Sequence, residues 1–168
     1  MDRPNYRKRH APKNVDDIRQ PLNVAISMDI LRLSDFQEID FSYKIKFLIN
    51  VQWLDARIMF QNLDNNTFKN IIGNKKKKML WIPPLVFNNS EKTTMFTMER
   101  PLDQPTVNIF VAKDSKGRVA GPTYLDEAYL YKGSENPLIV RTEYNLKMHC
   151  IYDLGYYPFD YQSCEMQV

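Results

Sequence analysis

The chain has 168 residues, a net charge of +3 and two histidines, with ten prolines against only five glycines. This length suits a single domain, and so small a net charge gives no reason to expect binding to nucleic acid. His10 and His149 form no catalytic triad, and neither metal-ligand spacing nor a phosphate-binding glycine loop occurs, so we expect no enzyme, metal or cofactor.

The first thirty residues divide into a basic arm, a helix and a strand. Residues 1–13 are basic and contain prolines, which predicts a flexible N-terminus. A short helix is predicted over residues 14–20, because Asn14 can cap it, acidic residues follow in its first turn and Pro21 ends it. From Leu22 to Ile30, apolar and polar residues alternate, which predicts a strand with one buried face.

Further strands follow in the rest of the chain. Residues 34–40 are polar and predict a turn, and a second alternating strand is predicted over residues 42–53. On that strand Leu48 interrupts the polar face, which indicates that part of this face contacts something other than water. Residues 106–112 predict another strand, and residues 138–149 show the clearest alternation of all.

Two other sequence features concern the surface. Four consecutive lysines at residues 75–78 are expected to form a solvated loop. Two glycosylation motifs, with acceptors Asn65 and Asn88, agree with a secretory route. No run approaches the 18 apolar residues that a transmembrane helix needs, so we expect no membrane span within these residues.

The two cysteines, Cys150 and Cys164, enclose thirteen residues. If they are oxidised, the loop stabilises the fold by about 3 kcal/mol in the chain-entropy model. The centre of the loop is apolar, where a solvated loop is normally polar. It consists of Tyr156, Tyr157, Pro158 and Phe159. We expect such a tip to contact another protein layer or a membrane surface.

This stretch resembles the signature loop of the Cys-loop receptors, which are pentameric ligand-gated ion channels. The family pattern is a cysteine, six residues, an aromatic residue, proline, an apolar residue, aspartate, three residues and a cysteine. The matching positions are Cys150, Tyr157, Pro158, Phe159, Asp160 and Cys164. The alternative is an ordinary disulfide loop in a secreted β domain.

The resemblance extends to two tryptophan motifs. The first, Trp-x-Asp-x-Arg, is matched by Trp53, Asp55 and Arg57. We expect these residues to hold a strand bend through a local salt bridge and a packed indole. The second, Trp-x-Pro-Asp, is matched by Trp81 and Pro83 but has Pro84 in place of the aspartate, which alters the expected loop geometry.

The alternating strands, regular turns and one disulfide predict an all-β fold, an immunoglobulin-like antiparallel β-sandwich over residues 21–168. The resemblance implies an extracellular ligand-binding domain over residues 14–168, beginning with the short helix 14–20 and incomplete at its C-terminus. Residues 121–137 look longer than the usual family connection. They form either an insertion that contacts another subunit or receptor, or an extended hairpin loop.

The function that the resemblance implies is that of a receptor on the extracellular face of the cell membrane. Five identical or related subunits would form a ring and bind a small-molecule agonist between neighbours. The signal would pass to a transmembrane domain of the same polypeptide. The alternative is a soluble secreted pentameric ligand-binding protein of the same superfamily that has no channel.

The resemblance also implies which residues bind the ligand. By position, they are Leu48, Asn50 and Gln52 on strand D, Phe87 and Asn88 in loop A, and Ile139, Arg141 and Glu143 on strand E. Loops B and C would follow Val168. Arg141 could bind an agonist carboxylate, or it could pair with Glu143 or Asp55 at the surface.

Gating in the family passes through two elements that have counterparts in this sequence. Tyr157, Pro158 and Phe159 would rest on the transmembrane helices. Glu38, in the turn between the first two strands, matches an acidic position that contacts a basic residue near the membrane. Asp160 is expected to hold the shape of the loop from within.

Overall fold

The computed structural model of the chain describes residues 6–91, 108–121 and 128–168. These residues form antiparallel strands and almost no helix, so the predicted all-β sandwich is confirmed. The strands are β1 (Val24–Gln37), β2 (Ser42–Trp53), β3 (Met59–Gln61), β4 (Asn108–Val111), β5 (Arg118–Val119), β6 (Tyr129–Lys132) and β7 (Leu138–His149). A 3₁₀ turn covers Thr67–Lys69, and one short helix, α1, covers Asn74–Lys77.

The strands form two sheets. The first has the order β1-β2-β7-β4, and the second has the order β3-β6-β5. β5 and β6 pair as an antiparallel hairpin, and both alternatives given for residues 121–137 stay predictions. Residues 122–127 lie outside the described part of the chain. No described helix is long and apolar enough to cross a membrane.

β2 and β7 are the centre of the first sheet. They pair without a shift from Ser42 opposite His149 to Trp53 opposite Leu138. The alternate residues Phe47, Ile49 and Trp53 are buried, because the period of two sends every second side chain of β2 into the core. A slip by one residue would turn this whole set toward water, so the buried face fixes the register.

β1 is longer than predicted, and the buried face expected for residues 22–30 is wrong, because Ile26, Met28 and Ile30 are exposed. It continues from Val24 through Gln37, so the turn expected at residues 34–40 is confined to residues 38–41. Hydrogen bonding to β2 keeps these polar residues in a strand in spite of their local turn preference. The pairing of β1 with β2 is irregular at two places, after Ile30 and after Ser34.

The helix predicted over residues 14–20 is wrong, because this segment forms turns. The Asn14 side chain does accept hydrogen bonds from the backbone N–H groups of Asp16 and Asp17, at 2.9 and 3.4 Å. However, its amide nitrogen also donates to the carbonyl of Pro21 at 2.8 Å, which closes the segment on itself. So short a segment cannot offset the cost of nucleating a helix.

The lysine run is also not the solvated loop that the sequence predicts. Residues 74–77 form α1, and the Lys77 side chain is buried while Lys75, Lys76 and Lys78 are exposed.

Asp55 is a buried ionic centre where β2 ends. Its carboxylate is fully buried and binds the Arg57 guanidinium through both oxygens, at 2.8 and 2.7 Å. The Tyr6 hydroxyl donates to Asp55 at 3.1 Å and accepts from the Trp81 backbone N–H at 2.9 Å. Trp53 is buried and meets the Trp81 ring edge-on. The predicted salt bridge and packed indole are therefore confirmed.

The same centre binds the N-terminal arm. Arg57 lies over the Tyr6 ring, 4.6 Å from its centroid, and donates to the carbonyls of Arg7 and His10 at 3.3 and 2.8 Å. Burial raises the pKa of the Tyr6 hydroxyl to about 12. Residues 6–10 are thus bound to the domain, whereas the sequence predicts a flexible arm over residues 1–13; residues 1–5 lie outside the described part.

We predict that Asp55→Asn lowers the free energy of unfolding by about 2 kcal/mol, because the substitution leaves the partly buried Arg57 without its carboxylate. The matched control is Glu143→Gln, which removes the half-exposed partner of Lys46 and should cost less than about 1 kcal/mol. Urea unfolding of both variants measures the difference. Equal losses would contradict the role given to Asp55.

Candidate ligand-binding face and coupling loop

Six of the residues predicted to bind ligand lie together on the outward face of the first sheet. The register of β2 and β7 makes them three directly opposed pairs: Leu48 with Glu143, Asn50 with Arg141, and Gln52 with Ile139. Opposed side chains in such a ladder lie about 5 Å apart at Cβ. The structure therefore brings residues from two distant segments into one continuous patch.

The polar centre of this face extends onto the two outer strands. Ser27 of β1 lies opposite Asn50, and Asn108 of β4 lies opposite Arg141. The Asn50 amide donates to the Ser27 hydroxyl at 3.3 Å. Sequence reasoning missed Ser27 and Asn108. The polar alternation of β1 marks the face on which Ser27 lies, but only the strand order reveals that either residue joins this row.

Arg141 is an exposed cation on this face. The sequence offers Glu143 or Asp55 as its surface partner, and both expectations are wrong. Glu143 pairs with Lys46 at 2.8 Å, and Asp55 is bound by Arg57. Within the described residues, Arg141 forms no ion pair. Its exposed guanidinium is therefore not neutralised by a carboxylate of the described residues.

The predicted loop A residues lie apart from these six. Phe87 is buried on the core side, where its ring packs against Phe47 and Tyr144 at centroid distances of 5.4 and 5.1 Å. Asn88 is exposed, and its backbone N–H donates to the carbonyl of Gln167 at 2.9 Å. A single chain therefore does not join the loop A residues to the outward face of β2 and β7.

The predicted disulfide between Cys150 and Cys164 is present, with the Cα atoms 5.4 Å apart. The base of its loop is bound to the turn between β1 and β2. The Cys150 backbone N–H donates to the carbonyl of Phe41 at 2.8 Å, and the buried Tyr152 hydroxyl donates to the carbonyl of Ser42 at 2.7 Å. Two segments that are about 110 residues apart in sequence thus form one unit.

A family model described as the neurotransmitter-gated ion-channel ligand binding domain matches residues 2–168. The chain belongs to this family. The resemblance to the Cys-loop receptors is thereby confirmed, and the family consists of ligand-gated ion channels, not enzymes.

Curated relatives agree with this membership. They include the gamma-aminobutyric acid receptor subunit pi of Bos taurus, 20% identical over 89% of this chain and 27% of that protein. The pH-sensitive chloride channel 2 of Drosophila melanogaster is 22% identical over 90% of this chain and 24% of that protein. The ligand-gated ion channel 50 of Caenorhabditis elegans is 23% identical over 86% and 24%. The chain spans about a quarter of the length of these relatives.

The tip of the Cys-loop in this ligand-binding domain is exposed. Tyr156, Tyr157 and Phe159 face solvent, and 92% of Phe159 is accessible. Asp160 instead accepts a hydrogen bond from Gln162, whose amide also bonds the backbone of the same loop. This hydrogen bond of Asp160 is therefore one within the loop itself.

The turn between β1 and β2 carries two further residues at this end of the domain. Glu38 and the largely accessible Ile39 are both exposed. This end of the domain therefore presents an apolar surface with an acidic side chain beside it.

Both predicted glycosylation acceptors are on the surface of the domain. Asn65 is exposed, and its side-chain oxygen accepts from the Lys113 ammonium at 2.7 Å. Asn88 is exposed as well, while the next residue, Asn89, donates to the carbonyl of Glu165 at 2.7 Å. Access is what a glycan needs, and the attachment of glycans stays a prediction.

Proposed function

We propose that the chain is the extracellular ligand-binding and gating-coupling domain of a subunit of a pentameric ligand-gated ion channel. The agonist binds between neighbouring subunits. The observation that carries this proposal is the outward face of β2 and β7, where the predicted residues form three opposed pairs around Arg141. A face that is partly exposed and chemically mixed suits one half of an interface site.

The other half of the site comes from the neighbouring subunit. A closed ring requires a heterologous interface, in which two different surfaces of each subunit meet. Asn88 lies apart from the six-residue face, as this arrangement requires. Asn88 of one subunit then faces Leu48, Asn50 and Gln52 of the next.

The agonist is a small molecule with a carboxylate group. Arg141 supports this choice, because among the described residues the two carboxylates expected to pair with it, Glu143 and Asp55, are bound by Lys46 and Arg57. A guanidinium binds a carboxylate through charge-assisted hydrogen bonds, and Asn50 and Asn108 flank it with further donors. Several relatives are named as receptors for gamma-aminobutyric acid, which has a carboxylate.

The signal leaves the domain through the Cys150–Cys164 loop. Tyr157, Pro158 and Phe159 rest on the transmembrane domain of the same polypeptide, and Glu38 interacts with a basic group there. The hydrogen bonds of Cys150 and Tyr152 to the turn between β1 and β2 support joint movement of these two elements.

The subunit lies in the cell membrane with this domain on the extracellular face. The disulfide suits an oxidising compartment, and the relatives are named as receptors and channels. The alternative, a soluble ring without a channel, would leave Phe159 and its aromatic neighbours in water, and nothing in the structure favours it.

The carboxylate site is tested by Arg141→Gln in the full-length subunit expressed in oocytes. We predict that the half-maximal concentration of gamma-aminobutyric acid, or of another amino acid agonist, rises about 10- to 100-fold, because a charge-assisted bond is lost. Arg118→Gln, an exposed arginine on the second sheet, should leave it unchanged. An unchanged response in Arg141→Gln, or an agonist without a carboxylate, would contradict the proposal.

The coupling role is tested by Phe159→Ser. Since 92% of this side chain is accessible, its loss should leave folding and agonist binding intact while the agonist-evoked current falls at least tenfold. The control is Ile151→Ser, an equally accessible apolar residue at the base of the loop. Radioligand binding and current are measured on the same cells. Lost binding with normal assembly, or equal currents in the two variants, would count against coupling through the tip.

A further inference from the structure

Two basic stretches that are distant in sequence lie on segments that contact each other at one end of the domain. Residues 7–9, Arg-Lys-Arg, follow Tyr6, and the lysines at 75–78 precede Trp81. The hydrogen bond of 2.9 Å between the Trp81 backbone N–H and the Tyr6 hydroxyl joins the two stretches. Each basic residue is at most six residues from that bond, within about 20 Å along even a fully extended chain.

The cations at this end are accessible and are not paired with carboxylates in the part of the chain that the structure describes. The exposed members are Arg7, Lys8, Arg9, Lys75, Lys76 and Lys78. None of them forms an ion pair within the described residues. Lys77 is buried and does not belong to this surface. Residues 59–81 hold five lysines and one aspartate, a net charge of +4, whereas the whole chain carries only +3.

A cavity of about 920 Å³ lies beside the lysines. Lys75 and Lys76 line it together with the amide side chains of Asn62 and Asn74. Ammonium and amide N–H groups are the donors that sulfate and carboxylate oxygens accept. The site is therefore a concave surface with several donors, and not a single charged loop in solvent.

This end is far from the Cys-loop. The backbone of residues 70–72 is bonded to β4, whose residues 109–111 pair with residues 138–140 of β7, next to the Trp53 end of β2. The Cys-loop is bonded to the Ser42 end. Twelve residues of strand separate the two ends by about 37 Å.

The position of the cationic end and the compartment in which the disulfide forms limit which class of polyanion can bind there. If the Cys-loop faces the membrane, as the proposed function requires, the cationic end lies several Debye lengths of about 8 Å from anionic lipid head groups. The disulfide suits a secreted domain, where nucleic acid is not the ordinary partner. A long extracellular polyanion can reach both basic stretches at once.

We propose that this cationic end binds a sulfated polysaccharide of the cell surface or matrix. The sulfate groups repeat along such a chain, which suits cations distributed over two stretches and a cavity. This inference rests on the proposed function only for the orientation of the domain.

The test is binding of the purified full-length protein to immobilised heparin, measured by surface plasmon resonance. We expect the triple variant Lys75→Gln, Lys76→Gln, Lys78→Gln to bind heparin with a Kd about tenfold higher, because three exposed ionic contacts are lost. The Kd of the triple variant Arg7→Gln, Lys8→Gln, Arg9→Gln should rise by a similar factor.

The matched control removes three lysines that are already paired with carboxylates. It is Lys44→Gln, Lys46→Gln, Lys147→Gln, with the same change in net charge. We expect its Kd to stay within about twofold of that of the unmodified protein. An equal loss of binding in this control would mean that only net charge matters and would overturn the proposal.

Three further surfaces separate the possible sources of negative charge. Desulfated heparin, polyglutamate and phosphatidylserine vesicles should all bind at least tenfold more weakly than heparin. Equal binding to any one of them would overturn the choice of a sulfated polysaccharide, as would absence of heparin binding. Agonist-evoked current, recorded separately, reports on the proposed function, so the two failures can be told apart.

Discussion

The pairing of β2 with β7 is the constraint on which the rest of the domain depends. Their buried faces supply much of the core, and burial of Phe47, Ile49 and Trp53 forbids a slip in register. The same register sets Asn50 opposite Arg141 on the outward face. Stability and the candidate site are therefore two consequences of one alignment, since moving either strand by one residue would lose both.

Each end of this strand pair is fastened by a different kind of chemistry. At the Trp53 end, the buried Asp55 carboxylate binds Arg57 and Tyr6, and these contacts hold the N-terminal arm on the domain. At the Ser42 end, the hydroxyl of Tyr152 and the N–H of Cys150 hold the loop against the preceding turn. The first end carries basic groups, and the second presents an apolar tip on a hydrogen-bonded base.

The sequence alone predicted the strands with strong alternation. Its predictions failed where contacts with distant residues determine the local structure or the partner of a side chain. Residues 138–149 formed the expected strand because alternation and core burial agree. The helix at 14–20 failed because Asn14 bonds to both ends of a short segment.

The partner of Arg141 was mistaken because Lys46, on the adjacent strand, takes Glu143. The segments that carry the basic residues 7–9 and 75–78 are joined through the Tyr6 hydroxyl, which no periodicity reveals.

The central claim is that the outward face of β2 and β7 forms half of a site between subunits. Electron cryomicroscopy of the full-length protein in lipid with its agonist tests this claim most directly. We predict a ring of five copies in which Asn50 and Arg141 of one copy face Asn88 of the next, with the agonist carboxylate at Arg141. A ring in which this face is open to solvent, or an agonist bound elsewhere, would contradict it.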